Sequence, residues 1–302
     1  MDPDTRSPQG SVFLRIADLT IALTSKDPLL TPQVAGATTQ FLVREAKPDD
    51  ADPDVRVRAT WGNLSKRTAG KKLFDSDGLW QLYAANGSLR FQFTSPALGP
   101  LPYKVASFDP AFTAGEVCLH RPYFPPSRAA NPLEYPLDEL LMIHLLAAGR
   151  GVEVHACGVV APNGKGYLLV GQSGAGKTTM ALLWQKAQAG TVLSDDRIIL
   201  RKRDGTVWMH GTPWHGEAAL SSPARAPLKG VYLLRHGQSN KLVSLRPSDA
   251  AARLLACSFP PFYHSGGLDF TLGFFEQLVG AVPCHELWFT PDERVVAFVR
   301  NS

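Results

Sequence analysis

Cysteine is scarce in this chain: four residues in 302, at Cys118, Cys157, Cys257 and Cys284, with no C-x-x-C pair among them. That spacing argues against a disulfide framework or a thiolate zinc site and fits reduced thiols in a cytosolic chain. Long apolar runs are missing too; none approaches the roughly 18 residues that a membrane span needs. The opening MDPDTRSPQG lacks the basic-then-apolar layout of a signal peptide. The expectation is a soluble, cytoplasmic protein that does not act at a membrane. An excess of one charge is also absent, since 31 Lys and Arg stand against 27 Asp and Glu. The densest basic clusters, RIILRKR (197–203) and SKRTAGKK (65–72), read as strand ends or solvated loops. Neither is the basic stripe of a nucleic-acid protein.

What is present is a 44% apolar composition, enough for a buried core, over a length that suggests about two domains. Residues 1–130 read as a smaller β-rich domain, a scaffold or a surface for a partner or substrate. Residues 12–24 and 55–61 alternate in strand fashion, and Asn86-Gly87 between alternating apolar residues is a strong hairpin signal. The Pro-rich stretch at 123–136 reads as a linker, and residues 131–302 as the second domain. That domain opens on a helix with Pro136 at its start, Asp138 and Glu139 in the first turn and Gly149 closing it. His144 within it reads as a packed or surface histidine, not a ligand.

The segment GVEVHACGVVAPNGKGYLLVGQSGAGKTTM carries most of the chemistry. Asn163-Gly164 reads as a two-residue hairpin turn, so an antiparallel strand precedes the glycine-rich loop, unlike the common parallel nucleotide-binding sheets. Under that register Pro162 faces Lys165 and His155 lies opposite Gln172, at the loop's mouth. Residues 171–178 match G-x-x-x-x-G-K-[ST] in strand–loop–helix context. Gly171, Ser173, Gly174, Ala175, Gly176, Lys177, Thr178 and Thr179 are the expected nucleotide-binding residues. The glycines turn successive N–H groups toward phosphates, and the helix N-terminus adds its positive dipole end. Lys177 reaches the β and γ oxygens of ATP or GTP, and Thr178 offers a hydroxyl to Mg²⁺. In the following helix Met180, Leu183, Trp184 and Ala187 mark the buried face, and Gly190 suits the C-terminal cap.

Next, TVLSDDR reads as a short strand ending in Asp195 and Asp196. Two adjacent carboxylates permit a division of labour, one on a metal and one taking a proton from a hydroxyl. Asp204-Gly205 marks another hairpin, leading to GTPWHGE with His215 and Glu217, a loop that completes a site or simply turns. Further on, PLKGVYLLRHG reads as a buried strand, SDAAARLLACSF as a helix capped by Ser248, FTLGFFEQLVG as a helix and VPCHELWF as a last strand. FPPFYH (259–264) reads as core or turn packing, with a base or peptide contact as the other option.

In the order HACGVV, GQSGAGKT, LSDDR, residues 152–298 resemble the catalytic domain of bacterial HPr kinase/phosphorylase and its relatives, whose core is shared with phosphoenolpyruvate carboxykinase. The resemblance implies an α/β fold with a mixed sheet around the phosphate loop. It implies an ATP- and Mg²⁺-dependent kinase with His155 near the reacting groups, Lys177 on the phosphates and Asp195 as base toward a substrate serine. Thr178 and Asp196 would hold the metal, with Glu217 as a suggested third ligand. Assembly into a homo-oligomer is implied in the same way. GTPWHGE replaces the family's signature loop, and the N-terminal region differs from its regulatory domain. The chain is therefore more similar to HPr-kinase-related proteins found with peptide biosynthesis clusters. The acceptor so implied is a serine of a peptide or small protein. A small-molecule hydroxyl, or a nucleotide-binding sensor or adaptor without transfer, are the alternatives.

Overall fold

The computed structural model describes residues 11–25, 27–43, 52–65 and 70–302; the signal-peptide reading of residues 1–10 and residues 66–69 of the basic cluster at 65–72 lie outside them. The chain is a mixed α/β protein with two large mixed sheets and few helices. It divides into two units, Met1–Leu141 and Met142–Ser302.

In the first unit the alternating stretch 12–24 is a hairpin, not one strand: β1 (Val12–Ile16) returns as β2 (Leu19–Ser25). Ala17 and Asp18 hold φ of 50° and 58°, so a tight turn forms without the glycine that would have announced it. The short β3 (Thr31–Pro32) precedes β4 (Val55–Gly62) and β5 (Lys71–Asp75). β6 (Trp80–Ala85) and β7 (Ser88–Phe93) form the expected hairpin, with Asn86 and Gly87 at φ 49° and 74°. β8 (Lys104–Phe108), β9 (Ala114–His120) and the two-residue β10 (Ala129–Ala130), paired with β3, complete the unit. The large sheet runs β1-β2-β4-β9-β8-β7-β6-β5, with parallel pairing only on the two sides of β4. Alternation along β4 puts Val55, Val57 and Ala59 fully inside.

The unit boundary falls within α1 (Leu137–Ala147), whose first turn carries Asp138 and Glu139 as expected. His144 is buried, with Nε2 2.5 Å from the Tyr263 hydroxyl, in keeping with a packed role.

The second unit is built on β11 (Val152–Val160) and β12 (Gly166–Val170). They pair antiparallel, but Val160 faces Gly166 and Ala161 accepts from Gly164 N–H. The turn is therefore the three-residue loop Pro162-Asn163-Gly164, one residue out of the expected register. Proline cannot donate to a ladder and fits the second position of an ordinary turn, with Gly164 at φ 77° closing it. Then come α2 (Lys177–Lys186), β13 (Thr191–Ser194), β14 (Arg197–Arg203), β15 (Thr206–His210) and β16 (Arg225–His236). β17 (Lys241–Ser244), α3 (Pro247–Ala256), α4 (Ser265–Ala281), β18 (Cys284–Phe289) and α5 (Arg294–Arg300) end the chain. The strand pairings close a ring, β12-β11-β14-β15-β16 and back to β12, because the long β16 meets β15 early and β12 later. β18 and β17 extend the sheet beyond β16.

Strands β12 and β16 are apolar on both faces because both are covered. Leu168, Val170, Val231 and Leu233 pack with Leu254, Phe275 and Leu278 of α3 and α4. Tyr167, Leu169, Tyr232 and Leu234 pack with Met180, Trp184 and Val296 of α2 and α5. Three helix ends differ from expectation. α3 starts at Pro247 after Arg246, so Ser248 is inside the first turn and caps nothing. α4 starts earlier, because His264 Nδ1 accepts from Gly267 N–H and stabilises a start that two glycines obscured. α2 ends with Gln188 at φ 47°, where Ala189 N–H reaches Trp184 O and Gln188 N–H reaches Gln185 O. Gly190 is needed instead because a Cβ there would sit 2.0 Å from Val160 O.

Lys104 is the first unit's anomaly: its side chain is fully buried, with Nζ donating to Glu134 O at 3.0 Å and lying 4.7 Å from the Phe93 ring centre. Burial pulls its pKa down from 10.5 to about 8, against the opposing pull of Glu134. Below pH 8 the folded state carries this buried ammonium at a cost of about 1–3 kcal/mol. Between pH 8 and 10.5 the unfolded chain still binds a proton that folded Lys104 has released, so this group makes folding more favourable as pH rises. Lys104→Met is expected to raise the urea midpoint of this unit at pH 7, with the gain over wild type shrinking toward pH 10. A gain independent of pH would mean that Lys104 is not the titrating group.

Candidate functional site

The sequence GYLLVGQSGAGKTT places a buried strand, a bend and a helix start in immediate succession. Gly174 and Gly176 take φ of 80° and 101°, which side chains other than hydrogen rarely tolerate. At Gly176 space forbids a side chain as well, since a Cβ would meet Phe289 Cζ at 2.6 Å. His236 Nε2 donates to Gly174 O at 2.9 Å and ties the loop's crest to the end of β16. α2 begins with no side-chain cap, the kind of helix start that can receive an anion. Lys177 is buried and folds over the loop, donating to Gly171 O at 2.8 Å and Gln172 O at 3.1 Å. Burial pushes its pKa below the ordinary lysine range, partly offset by the charge of Asp196. Ser173 and Gly174 are exposed, while Ala175, Thr178 and Thr179 are half-buried.

β13 ends at Ser194, and the chain bends before β14. Ser194 makes that bend: its Oγ accepts from Asp196 N–H and Arg197 N–H at 3.1 Å each and donates to Trp214 O at 2.8 Å. The two carboxylates consequently part. Asp195 turns inward, 1% exposed, and accepts from Gly216 N–H through Oδ1 and Ala218 N–H through Oδ2, both at 3.0 Å. Asp196 turns the other way, its side chain 26% exposed, with Oδ1 2.8 Å from His155 Nε2 and Oδ2 on Arg197. Burial alone would raise the pKa of Asp196, but the His155 hydrogen bond and the Arg197 and Lys177 charges outweigh it and hold the carboxyl below its usual range. Arg197 also lies 3.5 Å from the buried Glu153, and its guanidinium covers the Phe259 ring at 4.2 Å.

His155 therefore reaches the site by another route than the expected register. It pairs with Arg197 on β14, and its N–H donates to Cys257 O at 2.7 Å, so the ring meets Asp196 rather than standing opposite Gln172. The GTPWHGE loop meets Asp195 with backbone, not with side chains. His215 Nδ1 donates to the neighbouring Gly216 O, and His215 and Glu217 are both exposed. A Cβ on Gly216 would lie 2.8 Å from Asp195 Oδ2, which explains a glycine there. Among the described residues no three His, Cys, Asp or Glu gather to hold a metal ion. Thr178 and Asp196 still suit Mg²⁺ beside a nucleotide, where one or two protein ligands join phosphate oxygens and waters. Ser194, Arg197 and Phe259 were not singled out for the site by sequence. The Ser-Asp-Asp-Arg run held the signal for the first two, since Ser before a polar pair favours side-chain-to-backbone bends.

Asp195→Asn keeps one acceptor for the 216–218 strip but sets an amide N–H₂ against the second buried N–H. The expected cost is about 1–3 kcal/mol, read as a lowered urea midpoint, with faster hydrogen exchange at Gly216 and Ala218. Unchanged exchange would show that the carboxylate does not hold this strip.

No family model matches the chain, and no curated protein matches it. Among solved structures it is similar to the Hpr(Ser) kinase/phosphatase from Coxiella burnetii, with 11% identity and a TM-score of 0.29 over 49% of this chain and 86% of that one. A similarity of this size does not fix a family.

Proposed function

We propose that the second unit binds ATP with Mg²⁺ and transfers the γ-phosphoryl group to a hydroxyl, the acceptor being a serine of a peptide or small protein. One observation carries this reading: a glycine loop with two left-handed glycines and a buried Lys177 shares a site with the coupled pair His155–Asp196. Backbone N–H groups of residues 171–178 and the Lys177 ammonium hold the phosphates; Lys177 exchanges its bonds to Gly171 O and Gln172 O for phosphate oxygens. Thr178 and Asp196 would hold Mg²⁺, with Glu217 as a further carboxylate, and a metal held there would supply positive charge against the phosphates.

Asp196 binds the Nε2 side of His155 and so favours the tautomer with its proton there. That leaves Nδ1 as a proton acceptor, an arrangement in which one group orients a base. His155 is thus assigned as the base and Asp196 as its orienting partner. Asp195, the base implied by family resemblance, reaches a substrate only if the 216–218 strip lifts away from it.

The test is phosphate transfer from ATP to candidate peptide acceptors, followed by intact mass, for wild type and three variants. His155→Gln is expected to lower turnover by about 10²–10⁴ while nucleotide affinity changes little. Asp196→Asn, which also removes a proposed Mg²⁺ carboxylate, is expected to lower turnover by about as much and to weaken binding of the Mg²⁺-nucleotide. Asp195→Asn should keep turnover within about tenfold when assayed well below its melting temperature. Abolished transfer in a stable Asp195→Asn protein would return the base role to Asp195. ATP binding with no labelled acceptor, free serine and sugars included, would favour a nucleotide sensor.

A further inference from the structure

A cleft of about 590 Å³ opens beside the glycine loop, between the end of β16 and the end of α3. Its walls are Gly171–Ala175, the last residues of β16, the end of α3 and Trp288 of β18. β12, β16 and β18 are mutually parallel, so the cleft lies outside the carboxyl ends of three parallel strands, where open α/β sheets receive ligands. Its volume is in the range of small-molecule sites, roughly 300–1,000 Å³.

The side chains there are organised. Leu233 and Arg235 on β16 pair with Glu286 and Trp288 on β18, and by strand alternation all four share a sheet face. Glu286 is the hub: one of its oxygens takes both Arg253 and Arg235. Two guanidiniums on one carboxylate leave a net positive charge and spare N–H donors. Trp288, a large apolar side chain, is nevertheless 40% exposed.

We propose that this cleft takes the nucleoside end of a nucleotide whose phosphates occupy the 171–178 loop, with the Trp288 indole as the face on which the base stacks and Arg235 and Arg253 as donors to ribose and phosphate oxygens. Glu286 is a positioning residue that orients the two arginines. The inference rests on the phosphate-loop reading above and adds which side of the loop the nucleoside leaves by.

The experiment is calorimetric titration with ATP and, separately, with inorganic tripolyphosphate, both with Mg²⁺, on wild type, Trp288→Ala and Trp288→Phe. Wild type is expected to bind ATP more tightly than tripolyphosphate. Trp288→Ala is expected to weaken ATP between about fivefold and 150-fold, the range for loss of one stacked base, with tripolyphosphate affinity unchanged. Trp288→Phe, which keeps an aromatic face, should stay within about threefold of wild type. Unchanged ATP affinity in Trp288→Ala, or equal loss for both ligands in a folded variant, overturns the proposal. Equal wild-type affinity for the two ligands also overturns it but leaves the phosphate-loop reading standing; binding of neither ligand removes both.

Discussion

The Asp195 carboxylate is a charge taken out of water, and much of the site follows from how that charge is satisfied. A buried carboxylate without partners is prohibitively costly. Here two backbone N–H groups of a glycine-containing loop close on its two oxygens. That contact fixes the 211–218 loop, which in turn supplies Trp214 O to Ser194, and Ser194 sets the bend between β13 and β14. Once the bend is set, Asp196 must point away from Asp195, and the side it faces holds His155. The local divergence of two adjacent carboxylates is thus a packing result, which strand alternation alone would not place.

Around Asp196 the charges form a chain of alternating sign: Glu153, Arg197, Asp196, then Lys177, with His155 joined to Asp196. Arg197 is held from three sides, by two carboxylates and by the Phe259 ring. A guanidinium so restrained loses little further freedom when a substrate arrives, which favours precise electrostatics over adaptability. Lys177 differs. Its burial is compensated by carbonyl dipoles and the charge of Asp196, and its proton affinity is depressed all the same. An anion in the loop would relieve that cost.

The glycine loop and the helix after it were legible because their physical demands are local. A glycine loop needs left-handed backbone at Gly174 and Gly176, and the helix after it needs an apolar face at Met180 and Trp184. Hairpins with Asn-Gly or Asp-Gly were legible for the same reason. What was hidden depends on partners far away in sequence. The Ala17-Asp18 turn has no glycine, and the Pro162-Asn163-Gly164 loop counts three residues where the dipeptide suggests two. That one-residue difference moved His155 off its expected partner, and only the pairing with β14 brought it to Asp196. Gly190 looked like a helix cap because caps and close backbone approaches both call for glycine; only the 2.0 Å distance to Val160 O separates them.

The strand order also gives the two flanks of the glycine loop different chemistry. β12 has β11 on one side and β16 on the other. The β11 side carries His155 and, through β13 and β14, the acidic pair, so reactive and titratable groups collect there. On the β16 side Glu286 is already occupied by two arginines. Under the proposed reading, a nucleotide lying across the loop would meet His155 and Asp196 at one end and the Trp288 face with its arginines at the other. Binding energy gathered on the second flank would then hold the phosphates without drawing on the groups assigned to proton transfer.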